Sequence, residues 1–320
     1  MMKEYPIAYA AYNFNSEIRY QSTSGGVFSI IADYLIENHK AIVYGASFDS
    51  DFDVQHIRID SCLDIAKLRG SKYPQSKIGN CFKQIKKDLD DNRNVLFVGT
   101  PCQVAGLENY LGHDYKNLYT MDFVCHGVAS NGVWRDYVRE LGRNRKITNI
   151  IFKYKYKGWK KWYFQVLYDD GSIWHRRGSM TKFMRSYLNY GNVRPSCYYC
   201  KFKGLKRISD FTISDCWGIG ENDTQMNDNG GLSALLLQND KATILFDEIK
   251  SQLKYKKYDA LKLMEGNWTT FKPVLPDERR YDFFKCVAEK SALEGLNIFY
   301  RPSLKSWIKY YYLRVKGLEK

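Results

Sequence analysis

The chain has 320 residues, room for one large domain or two ordinary ones, and its 44% apolar and 26% charged residues exclude a disordered polymer. No apolar run approaches the roughly 20 residues of a spanning helix, and the opening MMKEYPIAYAAYNFN lacks the basic-then-apolar order of an export signal, so a cytoplasmic protein is expected. The 49 Lys and Arg against 35 Asp and Glu leave a net charge of +14, which suits nucleic acid, an anionic membrane surface, a small polyanion such as a dinucleotide, or simply a solvated basic exterior.

In chain order, Ile7 to Tyr12 reads as an edge strand. The polar turn Ser22-Thr23-Ser24-Gly25-Gly26 then opens onto Val27, Phe28, Ile30, Ile31, Tyr34 and Leu35, one apolar face of a helix. Ala41 to Phe48 follows as a buried strand, residues 80–93 as a basic amphipathic helix and Asn94 to Val98 as a short apolar strand. The turn Gly99-Thr100-Pro101-Cys102-Gln103 leads into a helix ending near Tyr110. Tyr119 to Val124 is the next strand, closed by Cys125-His126-Gly127, and Trp134, Tyr137, Val138 and Leu141 mark another helix. Continuous apolar strands alternating with helices predict a mixed α/β fold with a parallel or mixed sheet and flanking helices.

From Thr148 to Arg177 the period changes to two, with the turn Asp169-Asp170-Gly171 inside it, which predicts an antiparallel insertion. A helix over about Met180 to Tyr190 is expected to end in a left-handed cap at Gly191. Residues 194–218 form a cysteine-bearing loop around a short strand, Phe211 to Ser214. The polar stretch Glu221 to Gly231 reads as mobile; a strand (Leu232 to Leu237), a helix near 241–253 and a basic aromatic tail complete the chain. Three regions result: 1–80, 81–260 and a helical tail over 261–320.

Eight cysteines without an export signal read as thiols, metal ligands or buried small hydrophobes. Cys197 and Cys200, in C-x-x-C spacing, put two thiols on one turn, which suits zinc, an iron–sulfur cluster or a redox dithiol alike. Cys102 and Cys125 each follow an apolar strand, and if those consecutive strands are parallel neighbours, both thiols emerge at the ligand-binding edge of the sheet. A four-cysteine site and four unrelated buried cysteines both fit the spacing. Cys62, Cys81 and Cys286 read as core or surface thiols, and Cys216 as core or a stand-in ligand.

The ordered motifs Ser24-Gly25-Gly26-Val27-Phe28-Ser29, Arg69-Gly70-Ser71-Lys72-Tyr73-Pro74-Gln75-Ser76, Gly99-Thr100-Pro101-Cys102-Gln103 and Cys125-His126-Gly127 resemble the coenzyme F420 hydrogenase/dehydrogenase beta-subunit family. Arg194-Pro195-Ser196-Cys197-Tyr198-Tyr199-Cys200-Lys201-Phe202-Lys203, Arg207-Ile208-Ser209-Asp210 and Ser214-Asp215-Cys216-Trp217-Gly218 continue the likeness. The resemblance implies an oxidoreductase with FAD beside a [4Fe–4S] cluster, relaying electrons between ferredoxin-type centres and a hydride carrier or small-molecule substrate. It implies Cys102, Cys125, Cys197 and Cys200 as cluster thiolates. Ser24, Gly25, Gly26, Ser71, Lys72, Tyr73, Gln75 and Thr100 are implied as FAD contacts.

Many members begin with two C-x-x-C-x-x-C runs that have no counterpart here, which implies a separate ferredoxin or flavodoxin donor. Relatives outside F420 users, some in polysaccharide-synthesis settings, leave the substrate unnamed. Arg69 and Lys72 would neutralise FAD phosphate or polarise its ring, and the cations Lys201, Lys203, Lys206 and Arg207 would stabilise a reduced cluster. Tail residues 301–320, with Trp307, Ile308, Tyr311, Tyr312 and Val315 on one face, suit peripheral contact with anionic lipid or packing on their own domain. No nucleic-acid module is recognisable. The rival functions are a non-catalytic relay or scaffold subunit and a zinc-stabilised accessory protein.

Overall fold

The computed structural model describes residues 5–218 and 222–315. Two compact units divide them. Of the described residues, the first comprises 5–72, 76–126, 199–218 and 222–273 and the second 73–75, 127–198 and 274–315.

The first unit is built on an eight-stranded mixed sheet. Its strands are β1 (Ile7–Asn13), β2 (Ile42–Phe48), β3 (Val54–Ile59), β4 (Val95–Val98) and β5 (Leu118–Phe123), then β9 (Phe211–Asp215), β10 (Ser233–Leu237) and β11 (Leu253–Tyr258). They lie in the order β11-β1-β10-β9-β5-β4-β2-β3. Strands β2, β4, β5 and β9 are parallel neighbours. Strand β1 points the same way as β9, because each pairs antiparallel with β10. Five strands therefore end at one edge. Two short helices, α1 (Ser16–Gln21) and α3 (Ile65–Leu68), lead into the motifs that begin at Ser22 and Arg69.

Alternate residues of the strands face opposite layers. Val43, Leu96, Met121 and Leu235 pack under α2 (Val27–His39) with Ile31 and Leu35. Ile42, Tyr44, Val95, Phe97 and Leu118 pack under α4 (Cys81–Asp90) and α5 (Pro101–Leu111). Burial on both faces is why β2, β4 and β5 read as unbroken apolar runs. Strand β1, expected at an edge, is interior: β10 and β11 flank it, supplied by residues more than 200 positions later.

The stretch 221–231, expected to be mobile, is anchored over its described residues. Asp223 accepts from Lys256 at 2.6 Å and from the Tyr258 hydroxyl, and Asp228 accepts both terminal nitrogens of Arg19. Glu221 itself lies outside the described residues.

The second unit holds a three-stranded antiparallel sheet in the order β6-β7-β8, formed by β6 (Ile147–Tyr154), β7 (Tyr163–Tyr168) and β8 (Ile173–Arg177). The turn at Asp169-Asp170-Gly171 joins β7 to β8, with Gly171 at φ +77°. Trp134 of α6 (Asn131–Leu141) and Phe183 of α7 (Lys182–Leu188) complete an aromatic core with Phe152 and Phe164. The left-handed residue after α7 is Tyr190, at φ +62°, and not Gly191. Gly191 has a different physical role. A Cβ there would lie 1.7 Å from the Tyr300 hydroxyl, so glycine leaves room for that ring.

In the tail helix Leu304–Val315, Trp307 stacks on Tyr311 and receives the Arg176 guanidinium 4.8 Å from its ring. Leu304, Ile308, Tyr311 and Tyr312 are exposed. Val315 carries no described side chain. Among the described residues no helix is long and apolar enough to cross a membrane.

Candidate functional site

The carboxyl edge of the large sheet collects most of the motifs. Strand β4 ends at Val98 and is followed by Gly99, Thr100 and α5, with Cys102 in the first turn of the helix. Gln103 reaches back so that its carboxamide oxygen accepts the Thr100 backbone N–H at 2.9 Å and its hydroxyl at 3.1 Å. The Thr100 hydroxyl also stands 3.1 Å from the sulfur of Cys102, an exposed residue in the first turn of the helix.

Cys125 follows β5, the parallel neighbour of β4, so Cys102 and Cys125 do leave adjacent strands at one edge, as the chain order suggested. The Cys125 carbonyl accepts from Lys203 Nζ at 2.9 Å, and the same ammonium donates to Thr269 O at 2.8 Å. Lys203 is thus a strut between two loops.

Cys200 belongs to the first unit, as do Cys102 and Cys125. Cys197 belongs to the second, in a helical turn over Pro195–Tyr199, where its N–H donates to Arg194 O at 3.0 Å. Gly127, also in that unit, sits at φ +94° with no room for a side chain. A Cβ would meet Val193 at 2.5 Å and Cys197 Cβ at 3.1 Å. Cys216 is fully buried directly after β9, whereas Cys62 is half-buried and Cys81 and Cys286 are buried. Among the described residues, the group of three ligand-type side chains with ligand atoms within 4.8 Å of one another is Asp33, Glu37 and Cys62. Two of these three are carboxylates on the outer side of α2, and nothing else there points to an ion.

The turn Ser24-Gly25-Gly26 is pinned to the same edge. Ser24 donates to the Asp215 carboxylate, Gly25 N–H donates to Ser233 Oγ at 2.9 Å and Gly25 O accepts from Asn13 N–H at 2.8 Å. A Cβ on Gly25 would stand 2.4 Å from Ala11 O, so its glycine is required by the sheet backbone itself. Gly26, at φ +82°, is the N-cap of α2 and offers no side-chain cap, and the first turn holds no acidic residue.

The second loop meets this turn. Ser71 N–H donates to Thr23 Oγ1 at 2.8 Å, and the two hydroxyls are 3.1 Å apart. Arg69 turns away from open solvent, donating to Ser29 Oγ at 3.1 Å and to Gln21 at 2.6 Å. The Lys72 ammonium folds back onto the carbonyls of Arg69 (3.1 Å), Leu68 and Gly70 (3.3 Å each). Desolvation lowers its pKa to about 7. Tyr73 and Gln75 belong to the second unit: the Tyr73 ring packs on Phe152 and Tyr187, and Gln75 accepts from Arg194 at 2.9 Å.

Sequence reasoning missed two residues here. His56 of β3 is neutral: burial lowers its pKa to about 4. Its Nδ1 lies 2.6 Å from Ser76 Oγ and its Nε2 lies 3.0 Å from Val98 O, so one imidazole ties both motif-bearing loops. Asp122 of β5, one residue of an otherwise ordinary strand sequence, is buried with neither carboxylate oxygen hydrogen-bonded.

The chain belongs to the coenzyme F420 hydrogenase/dehydrogenase beta-subunit family, whose N-terminal domain matches over residues 8–83 and whose C-terminal domain matches over residues 92–260. It is therefore related to hydrogenase and dehydrogenase subunits, an oxidoreductase class that transfers electrons. Fourteen solved chains match it. One, from the F420-reducing [NiFe] hydrogenase complex of Methanosarcina barkeri, superposes with a TM-score of 0.52 at 15% identity, over 93% of this chain and 92% of that one. No curated protein sequence matches.

Proposed function

We propose that the chain is an FAD-dependent iron–sulfur oxidoreductase that takes electrons from a separate ferredoxin- or flavodoxin-type protein and delivers them to a small-molecule substrate. One observation carries the reading. The Ser24-Gly25-Gly26 turn and the Ser71 loop, 48 residues apart, are bonded to each other through Thr23, and the turn bonds to the same sheet edge from which Cys102 and Cys125 emerge.

The residues fit both groups chemically. The α2 N-terminus has backbone N–H groups, no side-chain cap and no acid in its first turn, which suits a pyrophosphate. Thr100 presents its hydroxyl beside Cys102. Cys102, Cys125, Cys197 and Cys200 supply four soft thiolates, the donor set of a [4Fe–4S] cluster. When bound, FAD would exchange two electrons with the substrate and the cluster one at a time with the donor.

The protein's own contribution is positional. Lys203 fixes the backbone of Cys125, Gln103 fixes Thr100 and His56 holds the Ser76 and Val98 ends of the two loops. Lys72, with its pKa near neutrality, would hold or release a proton at Nζ beside the flavin loop.

Anaerobic purification followed by visible and EPR spectra, before and after dithionite, tests the reading. About four iron, about four acid-labile sulfide and about one FAD per chain are expected. Colourless protein carrying zinc and no flavin overturns it. A relay or scaffold subunit of a larger assembly is the second reading, favoured by the complex from which the similar fold comes. Flavin reduction by a small donor without turnover of any substrate would select it.

A further inference from the structure

A cleft of about 850 Å³ opens on the first unit, on the α4 and α5 side of the large sheet. Pro101 and Lys201, the sequence neighbours of Cys102 and Cys200, are among its walls. None of the proposed FAD contacts lines it, so an occupant of this cleft is independent of the flavin reading.

Asp122 lies at the floor, 1% exposed, with both carboxylate oxygens lacking a hydrogen-bond partner. Arg207 Nε and Ser209 Oγ are buried and unpartnered as well. Burial raises the Asp122 carboxyl to about 6, and the Arg207 guanidinium and the Thr212 and Ser209 hydroxyls are near enough to pull it back down. Native interiors rarely leave polar atoms in that state; a molecule that bridges them is the usual resolution.

The size and charge of the cleft select that molecule. Its volume is in the range that holds an organic ligand, well beyond a single water. Lys201 and Lys206 line it, exposed and without an ion-pair partner among the described residues. Lys241 is already committed to Asp210, at 3.0 Å. Glu108 and Asp114 line the cleft as well, so these cations draw an anion to the wall made by residues 201–207. The donors that an anionic ligand brings to Asp122 are then neutral ones, such as hydroxyls. Phe202 and Ile208, 40% and 58% exposed, add apolar surface for a ring face.

We infer that this cleft binds a phosphorylated sugar, with the phosphate held by Lys201, Lys206 and Arg207 and the sugar hydroxyls by Asp122.

Calorimetric titration of the full chain with glucose 1-phosphate, and with glucose and inorganic phosphate as the two halves, tests this. Glucose 1-phosphate should bind at least about tenfold more tightly than inorganic phosphate. Asp122→Asn should remove most of that advantage and leave phosphate binding unchanged, whereas Lys206→Ala should weaken both. Asp122→Ser gives the same contrast if Asp122→Asn fails to fold. Equal affinity for phosphate and sugar phosphate, or an unchanged advantage in both floor variants, overturns the inference. So does the absence of binding by glucose 1-phosphate, glucose 6-phosphate and glucuronate alike at about 1 mM, which would leave ordered water as the occupant.

Discussion

Lys203 Nζ bonds the carbonyl of Cys125 at 2.9 Å while also holding Thr269 O at 2.8 Å. A lysine at this position is expected from the sequence as a counter-charge for a reduced cluster. Its visible role is to set the path of the backbone that carries a proposed ligand. Lys203→Met keeps the stem and leaves two carbonyls without their donor, which should cost about 1–3 kcal/mol. Urea unfolding measures the loss. Lys203→Arg should recover part of it, and full stability in the methionine variant would show that water replaces the ammonium at no cost.

The cysteines divide into two sets with different expected behaviour. Serine at Cys102, Cys125, Cys197 or Cys200 should lower iron and sulfide together, because a hydroxyl is a poor cluster ligand. Serine at Cys62, Cys81 or Cys286 should leave iron unchanged. Cys216→Ser, at a fully buried position, should reduce thermal stability and spare the iron. Iron content by colorimetric assay on anaerobic protein decides each case. Retained iron in Cys197→Ser removes that residue from the ligand set.

Gly25 and Gly70 offer a matched pair. Alanine at Gly25 would put its Cβ 2.4 Å from Ala11 O and 2.9 Å from Ser233 N, both backbone atoms that cannot move without shifting β1 and β10. Alanine at Gly70 meets no atom within 4 Å and suffers only from its φ of +85°, a cost of about 1–2 kcal/mol. Gly25→Ala should therefore be the more destabilising by thermal melt, and comparable melting temperatures would mean that the Ser24-Gly25-Gly26 turn can lift off the sheet.

His56 gives the fold a pH dependence with a definite sign. Its folded pKa, about 4, lies below the ordinary value of 6.5, so the unfolded chain takes up the proton first. Its contribution is intact above about pH 6.5, is lost progressively as pH falls and levels off below about pH 4, with a ceiling of about 3 kcal/mol. The difference between the parent and His56→Gln in denaturant melts from pH 7.5 to 4.5 isolates this effect from the carboxylates. A difference that stays flat across that range contradicts a buried neutral imidazole.

The adjacency of β4 and β5 was legible because strands buried on both faces write themselves as apolar runs, and turns with glycine and proline follow them. The sheet margins were not. Strand β3 contains Gln55, His56 and Arg58, and β11 contains Lys254, Lys256 and Lys257, polar and charged side chains that protect an edge and hide its periodicity. The interior place of β1 was illegible for another reason: its partners, from Ser233 to Tyr258, give no local signal. Gly191 misled because glycine after a helix suggests a cap, while the constraint there is the Tyr300 ring. Asp122 escaped notice since one acid in LYTMDF reads as a strand end, and only the packed structure reveals that nothing bonds it.

The wedging of β1 between β10 and β11 has a consequence for biosynthesis. During translation Ile7–Asn13 emerges well before its neighbours, which are encoded 220 to 250 codons later. The nascent segment must wait with unpaired amides until those later codons have been read. Such long-range closure is slow and invites aggregation, so recombinant yield should depend on chaperone supply and growth temperature more than the protein's final stability would suggest.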